Sequence, residues 1–187
     1  LGGSYAVRNW ADDRLDTQRK VGIATWVLGV LVFFDDYANT AIVSSTIKDV
    51  SDRLRVSREK LSYIVDSTAA PVSTIAISSW VAFQMSLIGD GYEAAGVSTH
   101  PPVFEVFLNS IPFNMYSVLA IAMVAIVVLT RRDYGEMLTA EHRSWTTGNV
   151  NRNGARPMQD VASDLGEPFA DNPRLVAFFA PIVVLIV

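Results

Sequence analysis

The sequence has no cysteine and only two histidines, His100 and His142, among its 187 residues. Disulfides and thiolate metal sites are therefore excluded, and nothing marks the redox compartment. Charge is also scarce, at 18% of residues, where soluble domains carry about 25%. The net charge of -4 is small and gives no basic footprint for nucleic acid. No GxSxG, HExxH or phosphate-loop pattern occurs, so an enzyme reading finds no motif to rest on. Two long stretches have no charge at all: Ser67 to Gly89 and Val106 to Thr130. Each exceeds the roughly 20 residues a helix needs to cross the hydrocarbon core. Buried helices of soluble proteins usually keep a polar face. Half the residues are hydrophobic, and the mean hydropathy is +0.28. The expectation is an all-α, polytopic protein of the cell membrane, with the lipid bilayer as its first partner.

What is present divides the chain into alternating polar and apolar segments. Residues 1–20 are polar and should be cytoplasmic, with Arg8, Arg14, Arg19 and Lys20. Residues 21–47 are apolar but interrupted at Asp35-Asp36. Residues 48–60, "KDVSDRLRVSREK", form a basic loop. Residues 61–88 form a second apolar segment, interrupted by Asp66 and Pro71. Residues 89–112 form a loop whose first part, 89–105, has no Lys or Arg. Residues 113–130 read as a plain spanning helix. Residues 131–173 are polar and rich in Gly, Asn and Pro, and 174–187 begin another helix. The chain starts at Leu1 and ends in an apolar run, so an internal piece of a larger membrane protein is expected. The positive-inside rule puts 48–60 and Arg131-Arg132 in the cytoplasm and 89–105 outside. For 21–47 it favours a re-entrant hairpin over a tilted single crossing, because both flanks are basic.

Carboxylates at membrane depth cost several kcal/mol and usually face a cavity, where they carry ions or protons. In "FFDDYANT", Asp35 and Asp36 are followed by Asn39 and Thr40. In "DSTAAP", Asp66 is followed by Ser67 and Thr68. Pro71 predicts a helix break near 66–70. Each stretch gathers carboxylate, amide or hydroxyl oxygens with freed carbonyls, a set suited to a hard cation such as sodium, and broken helices around a mid-membrane ion are a recurring transporter device. The candidate site is therefore Asp35, Asp36, Asn39, Thr40, Asp66, Ser67 and Thr68, with all but Thr40 as sodium ligands. Burial favours a protonated carboxyl, sodium the ionised form. One site could then exchange the two ions, with no cofactor. The plainer alternatives are helix ends at the interface for Asp35 and Asp36, and a headgroup-level acid for Asp66.

Residues 33–80, "FFDDYANTAIVSSTIKDVSDRLRVSREKLSYIVDSTAAPVSTIAISSW", closely resemble the signature region of the NhaC-type Na+/H+ antiporters, a branch of the ion transporter superfamily. The matches are Phe33 to Tyr37, Asn39, Asp52, Arg53, Ser57 to Leu61, Tyr63, Ile64, Asp66 to Pro71, Ser78 and Trp80. "RRDYGEMLTAEHR" (131–143) is similar to the stretch after the family's next helix. Departures stand at Ser44-Ser45, Asp49-Val50 and Ser79. The resemblance implies an inverted-repeat secondary transporter coupling sodium and protons, with "ANT" (38–40) as a hairpin tip. Some relatives exchange organic anions or amino acids, so a small organic solute stays open as cargo.

Other residues have plainer roles. Ser57 in "SREK" reads as an N-cap, with an ion pair from Arg58 to a cytoplasmic acid as the sharper alternative. Trp80 reads as a packed aromatic, His100 as an exposed turn residue and His142 as a surface residue. Tyr134, Met137 and Leu138 form a short stripe that either follows the membrane surface or packs on neighbouring loops. Three functions are carried forward: a sodium/proton antiporter, an ion-coupled organic-solute antiporter, and a non-transporting membrane scaffold. A homo-oligomer is left open.

Overall fold

In the 21–47 stretch the apolar run does not make one helix. Thr17 accepts a hydrogen bond from the Lys20 amide and opens α2 (Gln18–Leu31). Four residues later Asp35 accepts from the Ala38 amide at 2.8 Å and opens α3 (Asp36–Arg53). A carboxylate satisfying an orphan amide is a strong N-terminal signal, and here it outweighs the apolar continuity on either side. The Gln18 amide reaches the Leu54 and Arg55 carbonyls, and the Asn39 amide reaches those of Gly29 and Val32. Both ends of the pair therefore meet, so α2 and α3 run antiparallel and turn at residues 32–35.

The structure, a computed structural model, describes residues 2–155 and 174–186. It is all-helical, and the described residues contain no strand. Ahead of the hairpin lies α1 (Gly2–Arg14), tied to α3 by the Arg53–Asp12 ion pair at 3.3 Å. After it come α4 (Arg58–Ile75), α5 (Ser79–Ala94), α6 (Val103–Ser110), a 3-10 turn at Ile111–Phe113, α7 (Met115–Thr130) and α8 (Gly135–Thr147). The last described helix, α9 (Val176–Ile186), packs on α1. The expected polar segment 131–173 falls outside the described residues from 156 onward.

Helix α4 lies at the centre, against α2, α3 and α7. Val21 and Leu28 of α2, Val43, Ile47 and Val50 of α3, and Leu61 and Val65 of α4 share one buried cluster. Ile64 packs with Val124 and Val128 of α7 in a second. Two glycines set the spacing. A Cβ on Gly22 would sit 2.9 Å from a Val128 methyl, and one on Gly29 would sit 2.8 Å from the Thr68 methyl. Buried hydroxyls bond within their own helices: Thr25 to the Val21 carbonyl, Thr46 to Ile42 and Thr68 to Ile64. This back-bonding satisfies a polar group without a neighbour.

Two expectations need correction. The helix break expected at 66–70 lies instead at 76–78: α4 runs through Pro71, and α5 follows with a bend of 47°. Pro71 removes one ladder bond, to the Ser67 carbonyl, but packing buries Pro71 and holds the helix. The break comes where side chains take up the freed carbonyls: Ser78 donates to the Ser73 carbonyl, and Gln84 donates to that of Thr74. The charge-free stretch Val106–Thr130 is likewise not one helix. Pro112 lies in the 3-10 turn, and the Asn114 side chain accepts from the Ser117 amide to start α7 afresh. In the expected outer loop, α5 persists to Ala94 and α6 doubles back on it, with His100 stacked on Tyr92 at 4.1 Å.

Among the described residues, by length and composition, one stretch suits a membrane crossing, Met115–Thr147, which combines α7 and α8; the bent α4–α5 pair counts as a second if taken as one broken span. Helix α7 is apolar all round and alone rises about 24 Å. Arg131, left-handed at φ 56, closes it.

Candidate functional site

The two interruptions in the helices, 32–35 and 76–78, lie close together. The Trp80 indole, in the first turn of α5, donates to Asp36 Oδ1 at 3.0 Å. Asp36 in α3's first turn also favours the positive end of that helix's dipole. Asp35 next to it is the N-cap. The hairpin tip and the broken helix are thus joined by two side chains of the 33–80 signature region.

Asn39 is fully buried one turn into α3. Its amide nitrogen donates to Gly29 O at 2.6 Å and Val32 O at 2.9 Å, two carbonyls at the open C-terminal end of α2. Its Oδ1 is buried and accepts no hydrogen bond. A buried amide oxygen without a donor carries a desolvation penalty of about 1–3 kcal/mol. Rotating the amide would turn that oxygen onto two carbonyls, so the observed orientation is the one the surroundings require. Thr68 stands near: its methyl packs against Gly29, and its hydroxyl donates to the Ile64 carbonyl.

Thr40, Asp66 and Ser67 come together elsewhere. They line an open groove of about 470 Å³ between α3 and α4, with Ser44, Ser62 and Tyr63. Asp66 is exposed there, on the face of α4 opposite the core. Arg58 and Glu59 line the same groove from the first turn of α4. The seven expected site residues therefore fall into two groups. Asp35, Asp36, Asn39 and Thr68 surround the tip of the hairpin and its packing on α4. Thr40, Asp66 and Ser67 face the groove. Among the described residues no three acidic or histidine side chains converge as a metal-ligand cluster.

The Arg58-Glu59-Lys60 turn holds the ion pair that the sequence offers as an alternative for Arg58, and further pairs of Glu59 and Lys60 that no local pattern marks. Ser57 caps α4 as expected, accepting from the Lys60 amide. Arg58 then pairs with Asp52 of α3 at 2.5 Å. Glu59 pairs with Arg143 of α8 at 2.8 Å. Buried Lys60 pairs with Asp133 at 2.8 Å and with buried Glu141 at 3.5 Å. Glu141 also accepts from the Ser57 amide at 2.6 Å. Burial pushes the Asp52 carboxyl above its ordinary range, against the pull of Arg58. Burial also opposes ionisation of Glu59, but the Arg143 guanidinium outweighs it and holds that carboxyl below its ordinary range. The available signal was the complementary charge of "SREK" and "RRDYGEMLTAEHR", segments far apart in sequence.

The stripe after Arg132 is split by α8's packing. Tyr134 and Leu138 are exposed, as is Trp145 further along, while Met137 turns partly inward beside buried Ala140 and Glu141. Tyr134 meets Tyr63 edge to face at 6.2 Å.

The family described as "Na+/H+ antiporter family" matches residues 72–187. An uncharacterized protein of Haemophilus influenzae is 33% identical over 141 residues, 75% of this chain. The chain spans 27% of the length of that relative. No solved structure matches. The family match covers more than half of the chain, which belongs to the Na+/H+ antiporter family, a family of membrane transporters.

Proposed function

We propose that the chain carries the ion-coupling part of an NhaC-type sodium/proton antiporter of the cell membrane. The observation that carries this reading is Asn39: a fully buried amide whose nitrogen is fixed by two α2 carbonyls and whose oxygen has no donor. An oxygen left bare in that way suits a hard cation, since a cation supplies the positive partner that no protein donor provides. The adjacent interruptions at 32–35 and 76–78 support a transporter device in which helix ends face the ion. The antiparallel α2–α3 pair supports re-entry, because its two basic flanks lie at one end.

Asp66 is the exchangeable carboxylate, facing a groove with Thr40 and Ser67 as hydroxyl partners. Sodium and a proton are alternative occupants of its oxygens. Each ion then displaces the other. Asp36 and Asp35 hold the hairpin tip, Asp36 through Trp80 and Asp35 through its cap.

Sodium-driven proton flux by the full-length protein in vesicles tests this. Asp66→Asn should abolish the flux, and Asn39→Ala should raise the sodium concentration needed for half-maximal flux. Unchanged flux in Asp66→Asn would rule the assignment out.

The groove's volume favours one second reading. About 470 Å³ is far more than a bare ion needs and lies within the range of small-ligand sites. A sodium- or proton-coupled organic anion or amino acid could occupy it between Arg58 and Asp66. A solute screen with the same vesicles separates the two, since an antiporter of ions alone needs no organic cargo.

A further inference from the structure

Lys60 lies on the buried face of α4, with Leu61, Ile64, Val65 and Thr68. Asp66 is six positions on, about 9 Å along the axis and about 240° around it. The two side chains therefore leave different faces of one helix, a third of a turn apart: Lys60 toward α8 and the residues just before it, Asp66 toward the groove beside α3. The Lys60 ammonium is gripped by Asp133 and Glu141, and Glu141 simultaneously fixes the Ser57 amide that begins the helix. Two points on the first turn are thus held by one carboxylate. That arrangement sets how far α4 is rolled about its axis.

Burying one ammonium and two carboxylates is costly. Replacing such a cluster with uncharged groups of similar volume is often neutral or stabilising, whereas removing one member is strongly destabilising. The cluster is thus poor as a source of stability, and its geometric specificity stands out instead. We propose that Lys60, through Asp133 and Glu141, is a positioning residue that sets the roll of α4 and so keeps Asp66 facing Thr40 across the groove. This rests on the ion-coupling role given to Asp66 above.

Full-length protein carrying Lys60→Met, Asp133→Asn and Glu141→Gln together tests it, because that variant strands no buried charge. Nitroxide labels at Ala41→Cys and Ala70→Cys, both exposed and on α3 and α4, report the distance between the helices independently of transport. The expected result is a protein as heat-resistant as the parent, a shifted or broadened distance, and a rise of roughly tenfold or more in half-saturating sodium. Lys60→Arg, which keeps the charge, should restore the parent distance. A stable triple variant with the parent distance overturns the positioning role. If the parent moves no sodium, the functional reading fails, and the distance alone still decides whether the cluster sets α4's roll.

Discussion

Asp35 and Asp66 are both acids beside apolar runs, but their surroundings assign them different work. Asp35 holds the Ala38 amide, so its first task is to start α3. Asparagine caps about as well as aspartate, whereas alanine does not. Asp35→Asn should therefore leave thermal stability almost unchanged, and Asp35→Ala should lower it by about 1 kcal/mol. A large loss of transport in a stable Asp35→Asn protein would instead reveal a need for the charge. Gly29 is the other residue with a sharp expectation. Its missing side chain lets α2 approach Thr68 while its carbonyl receives Asn39. Thr68 is β-branched and has little freedom to withdraw. Gly29→Ala should cost about 1–3 kcal/mol in unfolding measurements.

At the scale of elements, α4 is held by ion pairs at its start and interrupted after its end. The Glu59–Arg143 pair predicts a sign for pH dependence. The folded-state carboxyl of Glu59 is held below its ordinary range, so its contribution is present above that range and is lost as pH falls through the lowered value. Melting temperature followed from neutral pH down into acid should fall less steeply in Glu59→Gln than in the parent. An identical acid limb in both proteins would show that the pair adds nothing. Much of this layout was legible in the sequence, for physical reasons. Ser57 and Asp35 stand where caps stand, and the apolar runs mark where helices pack. The position of the break was not legible: a proline signals a lost bond, yet tertiary burial carried α4 past Pro71 to the Ser/Thr-rich turn. Asn39 was legible only as part of a motif. Its hydrogen bonds depend on α2 and α3 folding against each other, which no local pattern records.

For the whole molecule, the long-range charge pairs were the least legible feature, since 57–60 and 131–143 meet only in three dimensions. The family match and the helical architecture agree with an all-helical member of an antiporter family; the match begins at residue 72, beyond the signature carboxylates. The central claim is that sodium and a proton compete for the Asp66 carboxylate. Counting the protons released when sodium is added to the purified full-length protein at fixed pH tests it most directly. The account predicts release that saturates with sodium and disappears in Asp66→Asn. Sodium binding with no proton release, or release that survives Asp66→Asn unchanged, would contradict it.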